Sequence, residues 1–193
     1  TLSGTAAQLG SLNTAATDVI TVTVTDAQAG ADGVTALNAL AGKTNGVVTA
    51  TVSGTAVQLG NLATAATDVI TVTATSVPTG ADGVTFVNAL AGKTAGNVIA
   101  TVSGTAAQLA SLSTVSTDLI TVSITNTHTL SELKSINNAT SGTISLNDYT
   151  LALSGSAADV SAALAGTLGD TYTGTVEATN SQSGADGVTA VNA

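Results

Sequence analysis

The chain has 193 residues and a formal net charge of −9, and 44% of its residues are hydrophobic while only 8% are charged. Three lysines and no arginine oppose twelve acidic residues, so the chain offers no basic surface to a nucleic acid or an anionic membrane. Cysteine is absent, which excludes disulfides and thiolate metal sites. No apolar run approaches the length of a membrane span. We therefore expect a folded chain with a core of small aliphatic side chains, no nucleic-acid partner and no membrane insertion.

The first repeat of the chain begins with a helix signal followed by a strand signal. Thr5 and Gln8 have the spacing of a capping box, which predicts a short helix that starts at Ala6. Residues 19–25 alternate strictly between aliphatic residues and threonine. Strict alternation of this kind is typical of a strand with one buried face and one exposed face.

A second helix and a second strand follow before residue 54. Asp32 is predicted to be the N-cap of the helix, because aspartate accepts hydrogen bonds from the free N–H groups of a first helical turn. The apolar residues Val34, Leu37 and Leu40 follow at spacing three, and Gly42 is expected to end the helix. Residues 47–53 alternate again and predict the second strand.

The same pattern then repeats along the chain. Residues 51–100 align without a gap on residues 1–50, with 14 mismatches. The block Ser-Gly-Thr-Ala starts at Ser3, Ser53 and Ser103, and Ser-Gly-Ser-Ala starts at Ser154. A period of about 20 to 50 residues is typical of solenoids, propellers and arrays of small modules.

The later residues are less regular but keep the alternation of strands and helices. Thr129 and Glu132 form another capping box, which is followed by Leu133 and Ile136. Ser156 is expected to open a helix that carries Val160 and Leu164. Residues 149–154 and 175–179 are predicted strands, and residues 188–193 are a predicted helix.

Short helical connections between strands favour parallel pairing, since each connection returns the chain to the same end of the sheet. We therefore predict an α/β fold, a repetitive solenoid of short parallel strands that alternate with short helices. A parallel β-helix and an array of small β-rich modules remain open alternatives. We treat residues 1–193 as one repeat array with units 1–50, 51–100, 101–151 and 152–193, and we expect it to be a portion of a longer polypeptide.

No catalytic or cofactor-binding constellation is predicted. The single histidine, His128, lies in an irregular loop without a nucleophile motif, and we expect it to be an exposed loop residue. The acidic residues recur once per repeat, whereas an active site is built once. Repetition therefore indicates turns and helix caps, and Asp18, Asp68 and Asp118 are predicted to be solvated turn residues.

Calcium is the only metal for which the sequence offers candidate ligands. Asp32, Asp82 and Asp186 occupy the repeated Gly-Ala-Asp-Gly block, and carboxylates are ligands for hard cations. Each block contributes a single carboxylate, and no calcium-binding solenoid nonapeptide or EF-hand spacing is present. A helix-capping role is therefore the favoured interpretation of these three residues, and calcium binding is the alternative.

The threonine faces of the strands raise one further hypothesis. If the strands are neighbours or next neighbours, residues 21–25, 71–75 and 121–125 would stack into rows of hydroxyl and methyl groups. Antifreeze solenoids use Thr-x-Thr rows of this sort. The alternative is that threonine is simply a good strand former on a surface face.

The alternation of Ser-Gly-Thr-Ala-Ala-Gln-Leu (residues 3–9) with Asp-Val-Ile-Thr-Val-Thr-Val-Thr (residues 18–25) resembles the Ala/Thr/Val/Gly-rich tandem repeats of large secreted bacterial proteins. These include giant adhesins, surface-layer-like proteins and haemolysin-type proteins. The resemblance implies an acidic protein with a structural role outside the cell or at its surface. Such a protein would form a segment of a rod, fibre or surface layer and would self-associate. Alternatives are an adhesin that binds a glycan or another surface, through residues 125–149, and an ice-binding solenoid.

Overall fold

The computed structural model describes residues 1–179. The chain has an α/β fold with a mostly parallel eight-stranded sheet whose strands alternate with helices, and a second sheet of two strands. This confirms the predicted class and the predicted parallel pairing. Within residues 1–179, no helix has the length and the apolar character needed to cross a bilayer. The predicted helix at residues 188–193 and the block at Asp186 lie outside the described residues.

The elements are numbered in chain order. The strands are β1 (Leu2–Gly4), β2 (Val22–Val24), β3 (Gln28–Ala29), β4 (Val48–Thr55), β5 (Val69–Ser76), β6 (Val98–Gly104), β7 (Leu119–Ile124), β8 (Ile144–Ser145), β9 (Leu153–Gly155) and β10 (Val176–Ala178). The helices are α1 (Ala6–Gly10), α2 (Gly30–Ala41), α3 (Ala56–Leu59), α4 (Gly80–Ala91), α5 (Ala106–Leu109), α6 (Leu130–Asn138) and α7 (Ala157–Leu164).

The described residues divide into two compact units. Unit 1 comprises Thr1–Pro78 and Phe86–Ala100, and unit 2 comprises Thr79–Thr85 together with the chain from Thr101 onward. The boundary falls inside α4 and β6, so it does not coincide with the sequence repeat. That the chain is a single repeat array stays a prediction.

In unit 1 the strand pairings alternate between a shorter and a longer sequence separation. Leu2 of β1 pairs with Val22, and Val52 of β4 pairs with Val72, so these two pairings share the shorter separation. Val22 pairs with Val48, and Val72 pairs with Val98, so these two share the longer one. One sequence repeat therefore supplies two strands that are joined by two connections of different length.

In unit 1, residues at equivalent positions of successive sequence repeats do not lie side by side in the sheet. Following the pairings from Leu2 through Val22 leads to Val48, whereas the repeat equivalent of Leu2 is Val52. Equivalent residues of the first two repeats therefore differ by four positions along the strands. Four positions preserve the inward or outward direction of a side chain, because that direction alternates with a period of two. The stagger thus leaves the buried face of the sheet intact.

The core of unit 1 lies between the helices and one face of the sheet. In β4, Val48, Ala50 and Val52 are buried, and the residues between them are half-buried or exposed. Helix α2, which packs on β4, buries Val34, Leu37 and Leu40. The predicted spacing-three stripe is therefore confirmed as a core-facing stripe. The opposite face of the sheet carries the threonines of the alternating pattern.

In unit 2, β7 pairs in parallel with β8, and β9 pairs in parallel with β10. Helices α6 and α7 pack on each other and bury Leu133, Ile136 and Val160. The predicted helix signals at Thr129 and Ser156 are confirmed. Thr129 and Glu132 form a complete capping box, and the Ser156 hydroxyl accepts a hydrogen bond from the Asp159 N–H.

Two predicted strands are shorter than expected. The prediction over residues 19–25 is wrong at its start, because β2 is only Val22–Val24 and the Ile20 N–H donates to the Thr44 side chain instead. The prediction over residues 149–154 is wrong in its first half. Asp148 accepts hydrogen bonds from the N–H and the hydroxyl of Thr150, and this local turn delays the strand until Leu153.

The predicted helix cap at Asp32 is also wrong. Helix α2 begins at Gly30, its N-cap is Ala29, and Asp32 lies inside the first turn. Gly30 has a φ of 61°, a left-handed conformation that glycine adopts without steric cost, so the chain turns into the helix earlier than the aspartate pattern indicates. The helix ends at Ala41 before Gly42, as predicted.

Candidate functional site

A buried threonine recurs in the structure, and its hydroxyl forms hydrogen bonds with the backbone of an earlier segment of the chain. In unit 1 the Thr94 hydroxyl accepts from the N–H groups of Ile70 and Gly96, each at 2.8 Å. The same oxygen lies 2.7 Å from the Ile70 carbonyl oxygen and 2.9 Å from the Asp68 carbonyl oxygen, so its single proton is shared between two acceptors. We call this arrangement the threonine latch.

The latch is found at three equivalent positions of the described chain. Thr44 makes the same four contacts in unit 1, with Asp18, Ile20 and Gly46. Thr140 makes them in unit 2, with Asp118, Ile120 and Gly142. All three threonines are buried. The sequence signal for the latch is the recurrent Thr-x-Gly triplet, which the sequence reasoning missed.

The glycine of each triplet allows the latch to close. A Cβ atom on Gly96 would lie 2.5 Å from the carbonyl carbon and oxygen of Ile70, and one on Gly142 would lie 2.3 Å from the Ile120 oxygen. No side chain fits at such a distance from backbone atoms. The glycine therefore permits the turn to approach the start of the neighbouring strand closely enough for the threonine hydroxyl to reach it.

Side chains next to the latch make further ties to the main chain. The hydroxyls of Thr14 and Thr64 donate to the carbonyl oxygens of Lys43 and Lys93 in unit 1. The ammonium groups of the same lysines donate, each at 2.7 Å, to the carbonyl oxygens of Leu12 and Gly60, which follow helix α1 and helix α3. Two of the three lysines in the chain thus satisfy backbone carbonyls near helix ends.

The prediction that all three aspartates before the strands are solvated is wrong for two of them. Asp68 is 3% exposed and Asp118 is 2% exposed, whereas Asp18 is exposed. In unit 1 the Asp68 carboxylate accepts from the N–H of Ala65 and the N–H of Val48, both at 2.8 Å. These hydrogen bonds compensate the loss of water around a buried carboxylate. Asp68 therefore ties its own turn to the first residue of β4.

The calcium candidates occupy separate first turns of helices. Asp32 is exposed in the first turn of α2, Asp82 is exposed in the first turn of α4, and Asp186 lies outside the described residues. Among residues 1–179, no group of three or more histidine, cysteine, aspartate or glutamate side chains is close enough to hold a metal ion. Neither Asp32 nor Asp82 therefore belongs to such a group within this range.

His128 is buried, so the expectation of an exposed loop residue is wrong. The side chain is 3% exposed between β7 and α6, and within residues 1–179 neither ring nitrogen has a hydrogen-bond partner. Burial lowers the pKa of the imidazole, and this effect outweighs the carboxylates of Asp148 and Glu132, which raise it. Burial therefore favours the neutral form of the ring in the folded chain.

Two tyrosines lie on the same irregular part of unit 2. The Tyr149 hydroxyl accepts from the Leu146 N–H at 3.0 Å, and the Tyr172 hydroxyl donates to the Leu151 carbonyl. Burial is the main cause that raises the pKa of Tyr172, and Asp148 adds to it. Both hydroxyls thus form hydrogen bonds with backbone groups of this part of the chain.

The threonine rows expected from the sequence are only partly assembled. In unit 1, Thr23 pairs with Thr49 and Thr51 pairs with Thr71. The oblique register then brings Val69 beside Thr49, and Ile99 beside Thr73. Sequence-equivalent threonines therefore do not continue one straight row, because the register moves by four positions with each repeat.

Comparison with known proteins returned no match, whether the chain was compared with protein-family models, with curated proteins or with solved structures.

Proposed function

We propose that this chain is a non-enzymatic structural module, a repeat segment of a rod, fibre or surface layer at the outside of a cell. In this proposal the strand and helix coils form a solenoid, and the role of each repeat is to extend it. The resemblance to secreted bacterial repeats supports the location, and so does the low number of lysines. A chain with three lysines and no arginine presents few sites to proteases that cut after basic residues.

The threonine latch is the observation that carries the proposal. The latch hydroxyl and the neighbouring threonine and lysine side chains all bond to the main chain of another turn. Polar side chains that recur with the repeat thus form hydrogen bonds between segments that are distant in sequence. A repeat protein gains stability from such nearest-neighbour interfaces, so that added repeats extend the body without a new core.

The decisive experiment is to insert a further copy of residues 51–100 between Ala100 and Thr101. The junction is the natural one, because Ala50 is followed by Thr51 and Ala100 by Thr101. We expect small-angle X-ray scattering to show a maximum dimension that increases by the same increment for one and for two inserted repeats. Two added strands correspond to an increment of about 10 Å perpendicular to the strands.

A matched insertion controls for chain length. It carries the same repeat with the inserted latch disabled, by substitutions equivalent to Thr94→Val and Gly96→Val. We expect this insert to be cut by protease and to give no regular increment. If the intact insert also behaves as a protease-sensitive loop and leaves the maximum dimension unchanged, the solenoid proposal is incorrect.

A further inference from the structure

The face of the unit 1 sheet that points away from the helices is rich in β-branched residues. We define the threonine face by the outward residues Thr23, Thr49, Thr51, Ser53, Thr71 and Thr73. They are exposed or half-buried, and Val69 and Ile99 lie beside them in the same pairings. The face therefore mixes hydroxyl and methyl groups across neighbouring strands.

Within the described part of unit 1, no charged residue lies at an outward strand position of this face, although the chain carries a net charge of −9. The ionisable side chains of unit 1 are located in turns and helices, as the exposed Asp18 and Asp32 illustrate. Asp68 precedes β5 and is buried against main-chain N–H groups. Two acidic copies of the chain repel each other wherever their carboxylates meet. The threonine face is a surface at which two copies can approach without that repulsion.

We propose that the threonine face is a self-association surface whose partner is the threonine face of a second copy of the chain. This inference rests on the proposed structural function and adds to it the surface through which modules bind each other. Two sheets that pack face to face place their side chains in contact at a separation of about 10 Å. Threonine, valine and isoleucine are compact and lose little rotamer freedom when they are packed in this way.

The size of the face indicates a weak interface for one unit. An outward position occupies about 30 Å² of a sheet, from the strand spacing and the two-residue repeat, so about ten positions give about 300 Å². Stable complexes bury about 800 Å² on each partner. We therefore expect one chain to dimerise only weakly, and tandem copies to associate more tightly through avidity.

The test is sedimentation equilibrium on the full chain at concentrations up to about 2 mM, which detects dimers with a dissociation constant as weak as about 1 mM. We compare the wild type with the double variant Thr51→Lys/Thr71→Lys, which places two ammonium groups at directly paired positions of the face. The control is Thr35→Lys/Thr85→Lys, which changes exposed threonines on α2 and α4. Both variants change the net charge by the same amount.

We expect the wild type to dimerise and the face variant to bind at least about tenfold more weakly. The helix control should associate as tightly as the wild type or more tightly, because its net charge is closer to zero. Equal behaviour of the two lysine variants, or a wild type that stays monomeric at the highest concentration, would overturn the proposal. Circular dichroism checks that each variant is folded, and the single variants replace the double variant if it is not.

Salt provides a second, independent measurement. Raising NaCl from about 50 to about 500 mM screens the repulsion between acidic copies, so an uncharged interface should strengthen. Weakening with salt would contradict the proposal, since it is the signature of charge pairs.

Thr51→Val/Thr71→Val keeps the methyl groups and should retain dimerisation. A monomeric wild type whose inserted repeats still give regular increments would refute self-association and leave the structural function standing.

Discussion

At the scale of single residues, the threonine latch shows how one hydroxyl satisfies several buried backbone groups. Thr94 accepts two N–H groups and donates to the carbonyls of Asp68 and Ile70. A buried polar group that loses its partner costs more free energy than a formed hydrogen bond contributes. Loss of the latch hydroxyl should therefore lower the free energy of unfolding strongly.

We predict that Thr94→Val lowers the free energy of unfolding by about 2 to 4 kcal/mol, because the N–H groups of Ile70 and Gly96 lose their acceptor. Urea unfolding followed by circular dichroism measures the change. Thr94→Ser keeps the hydroxyl and should lose less than half as much. If valine is tolerated as well as serine, the hydroxyl does not stabilise the fold in the way described.

His128 gives a prediction for the effect of pH. Because burial lowers its pKa in the folded chain, the unfolded chain binds the proton more readily, and stability falls as the pH decreases below about 6.5. The loss approaches about 1.4 kcal/mol per pH unit where only the unfolded form is protonated. In the folded chain the pKa values of the Asp148 and Asp159 carboxyl groups are lowered. Their contributions to the free energy of unfolding are therefore lost only at pH values below about 4.

Urea unfolding at pH 7.5, 6.0 and 5.0 tests this prediction. We expect the wild-type midpoint to fall across the series, and the midpoint of His128→Leu to change much less. Leucine also removes the two unpartnered ring nitrogens, so this variant should be at least as stable as the wild type at the lowest pH. A pH dependence that is identical in both proteins would contradict the assignment to His128.

At the scale of elements, local signals predict helix starts well when the cap is itself local. Thr5 with Gln8, Thr55 with Gln58 and Thr105 with Gln108 all form complete capping boxes. Each box closes within a single helical turn, so its pattern is visible in sequence. The start of α2 is different, because Gly30 has a positive φ and lets the helix begin before Asp32.

The close approach of a turn to a strand can be tested at Gly96. We predict that Gly96→Ala lowers the free energy of unfolding by about 3 kcal/mol, because the added Cβ would lie 2.5 Å from the Ile70 backbone. Gly92→Ala is the matched control in the same segment, since the nearest atom to its Cβ is 3.6 Å away. Similar losses in both variants would show that the contact with Ile70 is not the cause.

At the scale of the whole molecule, two successive strand pairings lead from Leu2 to Val48 and so stop short of Val52, the repeat equivalent of Leu2. The inserted-repeat experiment and the association experiment belong to this scale. The first measures whether added repeats extend the sheet, as the proposed solenoid requires, and the second measures whether the threonine faces of two copies bind each other. The two proposals fail independently, because an extended sheet does not require contact between copies.

The sequence by itself determined the features whose causes are local. These are the repeat, the α/β class, the parallel order that short connections impose, the capping boxes and the core stripe of Val34, Leu37 and Leu40. Only the tertiary structure decided the register, the burial of Asp68 and His128, and the partners of Thr94. The physical reason is that these depend on atoms far away along the chain, whose approach is set by packing and by the space left at Gly96.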